Sequence, residues 1–495
     1  MFNIIESTQQ WPFALTTAYV AAIPKDEHRL RLLGITPQVY RTWARARVQD
    51  LSDWVKAWIG DDLHGGCQGW STITASLDIV LELSRAIIDD EDFCGTSLDY
   101  TACFDRVDAN LCIQLLVKLG LPSTLGDTIK AFYANLQKTV KIGATISSPL
   151  ASPAGILQGC PFSALLLSAL MVTWVKFART HVQPEEELNL SVYLDDRHVA
   201  APNAITVAKV LEVSVEFDRL ANGILNESKT QIYGTPSSTM TPITEVMPQA
   251  VRVDRVWTLG FSLPTGADNG NVDIGKMQAR VDKATRVAEK AQHLPHDIRI
   301  RALESCFPAV LEYGVEFLPH TFDNLRKLKG AIAKAVWGGK RPGASPQVVW
   351  TLLYKGHRLL PLYRPIQEVI RLLYDMIQNA DARHQATIAD LVNKVRGLSR
   401  RSARTPFHVI QTECSAFRWR WTSWHVIHVL TAGAEFKRID LLEPRWHRHA
   451  QVIREGVRFH IWRTGPATSP TPCLMIPGGG WFSGIIFLES FFGPQ

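Results

Sequence analysis

An α+β fold is what this sequence predicts, and three observations carry the prediction. Two short apolar runs with strand character, "CGTSLDY" and "SVYLDDRHVA", hold aspartates at their ends or turn. Between and around them lie longer segments with apolar residues at helical spacing. From residue 275 to about 400 the pattern is mainly helical.

Taken in order, residues 1 to about 60 mix short apolar runs with basic residues, and the loop "DDLHGGCQGWST" follows, its glycines permitting unusual backbone angles. "ITASLDIVLELSRAIIDD" reads as a helix and "CGTSLDY" as a strand. "FDRVDANLCIQLLVKLGLP" is a helix that stops at Gly120 and Pro122. "PAGILQGCPFSALLLSALMVTWVKFA" is a turn-rich loop opening a helix that is apolar nearly all round, hence buried. A hairpin over residues 190 to 200 comes next, then the helix "ITVAKVLEVSVEFDRLANG" and a turn at Gly223 and Asn226. No internal repeat is present, and the composition changes abruptly in "PGGGWFSGIIFLESFFGPQ".

With 495 residues, the chain is long enough for two to four domains. Its net charge of +6 is unevenly placed: residues 394–463 carry 14 Lys and Arg against 5 Asp and Glu, and the rest is slightly acidic. That asymmetry predicts an anionic partner engaged mainly at one end. Eight scattered cysteines without a CxxC pair argue against a disulfide framework or zinc ribbon and fit a reducing compartment. The N-terminus lacks the pattern of a secretory signal, and the run "ALLLSALMVTWV" is too short to span a bilayer. The expectation is a soluble, intracellular protein with no membrane partner; nothing in the sequence sets the oligomeric state.

The aspartates pose the chemical question. In a hairpin, Tyr193 and Asp195 share a face and Asp196 falls at the tight turn. In the other run, Ser97 and Asp99 face one way, Leu98 and Tyr100 the other. Two strand ends that converge three carboxylates need a divalent cation to offset the repulsion. An all-oxygen donor set selects Mg²⁺ or Mn²⁺ over zinc. Two such ions suit phosphoryl transfer by in-line displacement.

At these residues the sequence resembles the reverse transcriptases of non-LTR (LINE-type) retrotransposons. "LDYTACFDRVD" is similar to their motif A, "AGILQGCPFSALLLSALM" to motif B, "VYLDDRHV" to motif C, "LNESKTQIYG" to motif D and "WTLGFSL" to the primer-grip motif E. Upstream, "AAIPKDEHRLRLLGIT" resembles the fingers segment and "GGCQGWST" the family's "GFRPGRS" loop. The seven stretches occur in the expected order from about residue 22 to 263, and thumb-like similarity continues to about 360.

The resemblance implies a right-hand polymerase: fingers at 1–70, a palm with an antiparallel sheet at 71–265, a helical thumb at 266–400, a mostly helical, basic, Trp-rich extension at 401–475, and a tail at 476–495 of unassigned role. It implies Asp99, Asp195 and Asp196 as metal ligands and catalytic carboxylates, with Lys229 a candidate general acid for pyrophosphate. Lys25, Arg31, Tyr100, Phe104, Gln158 and Gly159 would bind the nucleotide, and Leu259 and Gly260 would belong to the primer grip. Phe104 occupies the ribose-gating position, where an aromatic ring crowds a 2′-hydroxyl and favours deoxynucleotides. The implied partners are an RNA template, a DNA primer and dNTPs, with Mg²⁺ as cofactor and a nuclear location.

Three departures stand out: Leu32 replaces the fingers proline, Ala102 a common motif A lysine, and Arg197 a small or apolar residue after the aspartates. On the active face Arg197 would compete with metal for the carboxylates; a turn that carries it away is the favoured reading. Neither an endonuclease, a CCHC knuckle nor an RNase H constellation is read. His425, His428, His447 and His449, interleaved with Trp419, Trp421, Trp424 and Trp446, suit a basic–aromatic nucleic-acid surface, with a tryptophan-rich core the equal alternative. The rival function is a decayed or domesticated, maturase-like protein that binds RNA without polymerising. Within the class, an RNA polymerase is the rival.

Overall fold

The computed structural model describes residues 1–24, 30–66, 72–142, 145–151, 155–259, 261–266, 274–307, 310, 322–337, 363–397, 405–432 and 435–464. The chain divides into two compact units, Met1–Val272 with Ala382–His408, and Asp273–Asp381 with Val409–Gln495. The segments 1–70 and 71–265, expected as fingers and palm, both fall in the first unit. The helix Ala382–Gly397, expected in the thumb, packs in that unit against the helix Thr72–Asp89, where Lys394 Nζ meets Asp89 at 2.7 Å.

The first unit holds two mixed sheets. Thr17–Pro24 (β1), Leu30–Ile35 (β2), Gln137–Ile142 (β4), Thr145–Ile146 (β5) and Leu150–Ala151 (β6) make one, in the order β2-β1-β4-β5 with β6 also on β4. Cys94–Leu98 (β3), Asn189–Tyr193 (β7), Asp196–Ala201 (β8), Gln231–Gly234 (β9) and Val251–Arg252 (β10) make the other, in the order β10-β9-β3-β8-β7. The four strands from β9 to β7 are antiparallel, as the expected palm sheet requires; only the short β10 is parallel to its neighbour. Arg255–Thr258 (β11) and Phe261–Pro264 (β12) form a separate antiparallel pair.

Helix Pro161–Arg179 is the centre of this unit. Proline at its first turn costs no hydrogen bond, and Lys176 and Arg179 in its last turn suit the negative end of the helix dipole. It is long and apolar enough to cross a membrane by length and composition, but 72% of its apolar window is buried in the protein, as a core helix requires. Its Trp174 is fully buried and donates its indole N–H to Ser214 Oγ at 3.0 Å, on the helix Ala204–Leu220. That second helix starts at Asn203, whose side chain accepts the Ile205 N–H, and packs on β3 and β8.

In the second unit, helices His296–Phe307 and Phe322–Trp337 pack with Ile274–Ala291. The C-terminal extension adds a sheet that the mostly helical expectation did not include. Arg420–Ser423 (β13), Val426–Leu430 (β14) and Phe436–Asp440 (β15) form it, antiparallel throughout and covered by the helix Trp446–Thr464. The segment's Val, Ile, Trp and Phe content explains the strands: alternate residues Ile427 and Val429 are fully buried.

The expected tryptophan surface is therefore corrected. Trp419 and Trp421 are 5% and 6% exposed and belong to the core under the sheet. Trp446 and His449 pack on Tyr374, and the His425 ring nitrogen is hydrogen-bonded to the Asp440 carboxylate at 2.8 Å. The alternation that makes a strand buries one face, and Trp421 falls on it; Trp424, in the turn between β13 and β14, and Trp446 are half-buried.

Candidate active site

The register of the second sheet places the aspartates. β3 and β8 pair through Leu98↔Arg197, so the next residues, Asp99 and Asp196, follow on opposite sides of the same ladder end. β7 and β8 close through Tyr193↔Asp196, leaving Leu194 and Asp195 as a two-residue turn. Leu194 takes φ +57°, in the left-handed region that such tight turns use. This corrects the expected geometry: Asp195, not Asp196, lies in the turn, and Asp196 opens β8. Among the described residues no three His, Cys, Asp or Glu side chains gather around one point, so the strands juxtapose the carboxylates without closing a cage.

Asp99 is held by its backbone. Its carbonyl accepts the Asn226 N–H at 2.8 Å, and the Thr101 N–H donates to the Ile224 carbonyl at 2.8 Å. The turn expected at Gly223 to Asn226 thus docks on the end of β3. It also delivers Lys229, whose Nζ lies 3.4 Å from Asp99 Oδ2, with both side chains more than a third exposed. An ion pair that open to solvent is weak and easily exchanged for another cation.

Arg197 is carried away from the carboxylates, as favoured. It is 1% exposed and points through the sheet, where it makes two hydrogen bonds to Asp218 on the helix Ala204–Leu220. Its guanidinium lies 4.2 Å from the Tyr100 ring centroid and 4.9 Å from that of Trp174. The Tyr100 hydroxyl donates to the same Asp218 carboxylate. Burial alone would lower the Arg197 pKa, but Tyr100 and Asp218 outweigh it and hold it up. Burial, joined by Asp218, raises that of Tyr100. Arg197 thus ties motif C to motif A from behind, because Tyr100 is the residue after Asp99.

Three glycine contacts bring the remaining motifs to this end of the sheet. A Cβ on Gly65 would lie 2.5 Å from the Leu194 backbone nitrogen, so the chain at Gly65 runs directly against the hairpin turn. Its neighbours bond to β7: His64 N–H donates to the Val192 carbonyl and Val192 N–H to Asp62, each at 2.8 Å. Gly155, at φ +85°, sits 2.9 Å by the same measure from the Phe104 carbonyl, and the Ile156 N–H donates to that carbonyl at 2.7 Å. Gly159, at φ +107°, abuts the Gly34 carbonyl, while the Gly34 N–H donates to the Gln158 carbonyl at 2.8 Å. Phe104 and the Gln158–Gly159 pair are therefore linked to one loop.

Arg31 lies exposed on β2, paired with Ile23, in the other sheet from the aspartates. Leu259 takes φ +50° between β11 and β12. Lys25 and Gly260 lie outside the described residues. The β11 strand is fastened to the palm by Gln231, whose amide donates to the Trp257 carbonyl and accepts the Trp257 N–H, both at 2.9 Å. Sequence reasoning missed Gln231, Asp218 and the docking roles of Gly65 and Gly155. Asp218 had a signal: an arginine inside an apolar strand demands a buried acid.

Residues 23–263 match the family model described as reverse transcriptase (RNA-dependent DNA polymerase), just under half of the chain. The transposon TX1 uncharacterized 149 kDa protein of Xenopus laevis is 28% identical over 140 residues, which are 27% of this chain and 11% of that protein, so the match spans about a tenth of the relative's length. Among solved structures, telomerase from Candida albicans in complex with a TWJ fragment of telomeric RNA is 11% identical, over 79% of this chain and 62% of that one, with a TM-score of 0.42. The corresponding telomerase complex from Candida tropicalis is 10% identical, over 83% and 67%, with a TM-score of 0.42. The matched stretch, residues 23–263, contains all five of the segments that resemble motifs A to E.

Proposed function

We propose that the chain is an RNA-directed DNA polymerase of the non-LTR retrotransposon kind, a right-hand polymerase that extends a DNA primer on an RNA template with dNTPs. The observation that carries this reading is the register placing Asp99 opposite Asp196, one residue from Asp195 in the hairpin turn. The expected fingers, palm, thumb and extension, and a nuclear location, belong to the same proposal.

The donor set fits a hard divalent cation: three carboxylates at adjoining strand ends, with no nitrogen or sulfur ligand among them. Asp99, Asp195 and Asp196 would hold Mg²⁺ or Mn²⁺, which supplies charge neutralisation for the phosphates and lowers the pKa of a bound hydroxyl. The primer 3′-hydroxyl attacks the α-phosphate of the dNTP and pyrophosphate leaves. Lys229, 3.4 Å from Asp99, would protonate that leaving group. Phe104 and the Gln158–Gly159 loop would frame the sugar and base, Lys25 and Arg31 the triphosphate, and Leu259 and Gly260 the primer end.

Primer extension on an RNA template with purified protein and Mg²⁺, beside Asp195→Ala, tests the reading. Metal-dependent cDNA from the parent chain alone supports it; equal extension by the folded variant refutes it. The second reading, an RNA-binding relic, draws on one observation, that the described carboxylates do not close around a common point. It predicts RNA binding with no extension.

A further inference from the structure

We infer that the outer face of the C-terminal sheet is a binding surface for single-stranded RNA. The sheet register puts Arg420, His428 and Arg438 directly opposite one another across β13, β14 and β15, so the three side chains share one face. The next residues, Trp421, Ile427 and Ile439, form the opposing row and are buried, two of them completely. That inner face is closed by the helix Trp446–Thr464, where a Cβ on Gly456 would collide with Val429 and lie 2.8 Å from Trp419. One face is core; the other is open and basic.

Aromatic surface accompanies the charge. Phe436, two residues before Arg438 and hence on the same face, is 37% exposed, and the Arg420 guanidinium lies 4.2 Å from its ring centroid. Arg438 is held by Asp440 at 2.6 Å with its side chain still 56% exposed. Asp440 is the acid on this face, and its charge is shared between Arg438 and His425. The face therefore offers two fixed guanidinium groups for phosphates and a stacked Arg–Phe pair for a base. These are the elements that recognise unpaired polynucleotide. The +9 balance of residues 394–463 supplies the long-range attraction. The assignment to RNA rests on the proposed function, since the single-stranded flank of an RNA template is the polyanion such a chain meets.

Fluorescence anisotropy with the full chain and a labelled single-stranded RNA of about 20 nucleotides tests this, over a salt series. Arg420→Gln, Phe436→Ala and Arg438→Gln together are expected to raise Kd at least tenfold. The slope of log affinity against log salt should fall by about 1.4, from two phosphate contacts at about 0.7 each. Lys437→Gln, on the other face and paired with Glu455, is expected to leave the slope unchanged. Unchanged affinity and slope in a folded triple variant overturn the inference. If the triple variant unfolds, Arg420→Gln alone decides it, with a slope change of about 0.7 expected and none overturning. Equal or tighter binding of single-stranded DNA overturns the assignment to RNA. The polymerase reading fails separately: a chain that binds RNA through this face but never extends a primer refutes that reading and keeps this one.

Discussion

The Arg197 guanidinium and the Asp218 carboxylate form a two-point ion pair, at 3.1 and 2.6 Å, with 0% and 3% of the two side chains exposed. Removing one partner strands the other charge in the interior, at a cost of about 3–5 kcal/mol. Arg197→Ala and Asp218→Leu are each expected to lower unfolding free energy by that order in urea titrations. The double variant Arg197→Met with Asp218→Leu is expected to recover most of the loss, since apolar residues of similar volume replace a buried pair well. Additive losses would show that the two charges are uncoupled.

Gly65 cannot carry a side chain without moving the hairpin turn. The nearest atom to its Cβ position is backbone, 2.5 Å away, so Leu194 and Asp195 must shift. Gly65→Ala is expected to lower the rate of primer extension at least tenfold, with a stability loss of about 1–3 kcal/mol. Active-site titration separates the two effects: the rate per active molecule falls, not merely the active fraction.

Phe104→Ala tests sugar selection. The ratio of ribonucleotide to deoxynucleotide incorporation, measured one nucleotide at a time, is expected to rise at least tenfold, on the order of the 1–3 kcal/mol by which a pocket's packing discriminates. An unchanged ratio would favour the RNA polymerase rival.

Gln231, on β9, holds β11, the strand before the proposed primer grip, through two hydrogen bonds to Trp257. Net losses near 1 kcal/mol per bond predict that Gln231→Ala weakens primer affinity by about three- to thirtyfold. The KM for dNTP is expected to stay the same. A change in dNTP affinity instead would place Gln231 on the nucleotide side.

His64 gives a pH dependence. Burial pushes its pKa down from 6.5 to about 4, with Asp61 opposing weakly, so the folded protein keeps it neutral. Below pH 6.5 the unfolded chain takes up a proton that the folded chain refuses. Its contribution is present above pH 6.5 and lost as pH falls toward 4, up to about 3 kcal/mol. Urea titrations from pH 7 to 4 should show a shallower decline for His64→Gln than for the parent chain.

Much of the site was legible because strands alternate. The Asp99 and Asp195–Asp196 strand ends, the buried helix behind them and the Gly223–Asn226 turn follow from periodicity and turn chemistry. The exchange of Asp195 and Asp196 was not legible: loop length in a hairpin is set by backbone angles, and Leu194 is an unusual residue for positive φ. Nor was Asp218, which lies 21 residues from Arg197 on a helix that also reads well as solvated. The C-terminal sheet escaped because its basic residues and tryptophans, read without register, look like one surface. Pairing sorts them into opposite faces.

The contacts joining β2, the Gln158 loop and Phe104 are main chain to main chain. Such contacts are indifferent to side-chain identity, so a diverging lineage can change Leu157 or Gln158 and keep the linkage. Gly155 and Gly159 are different, since a Cβ there would meet a backbone oxygen at 2.8 and 2.9 Å. Descent should therefore leave a spaced signature: two immobile glycines amid drifting neighbours, marking where the backbone itself carries the join.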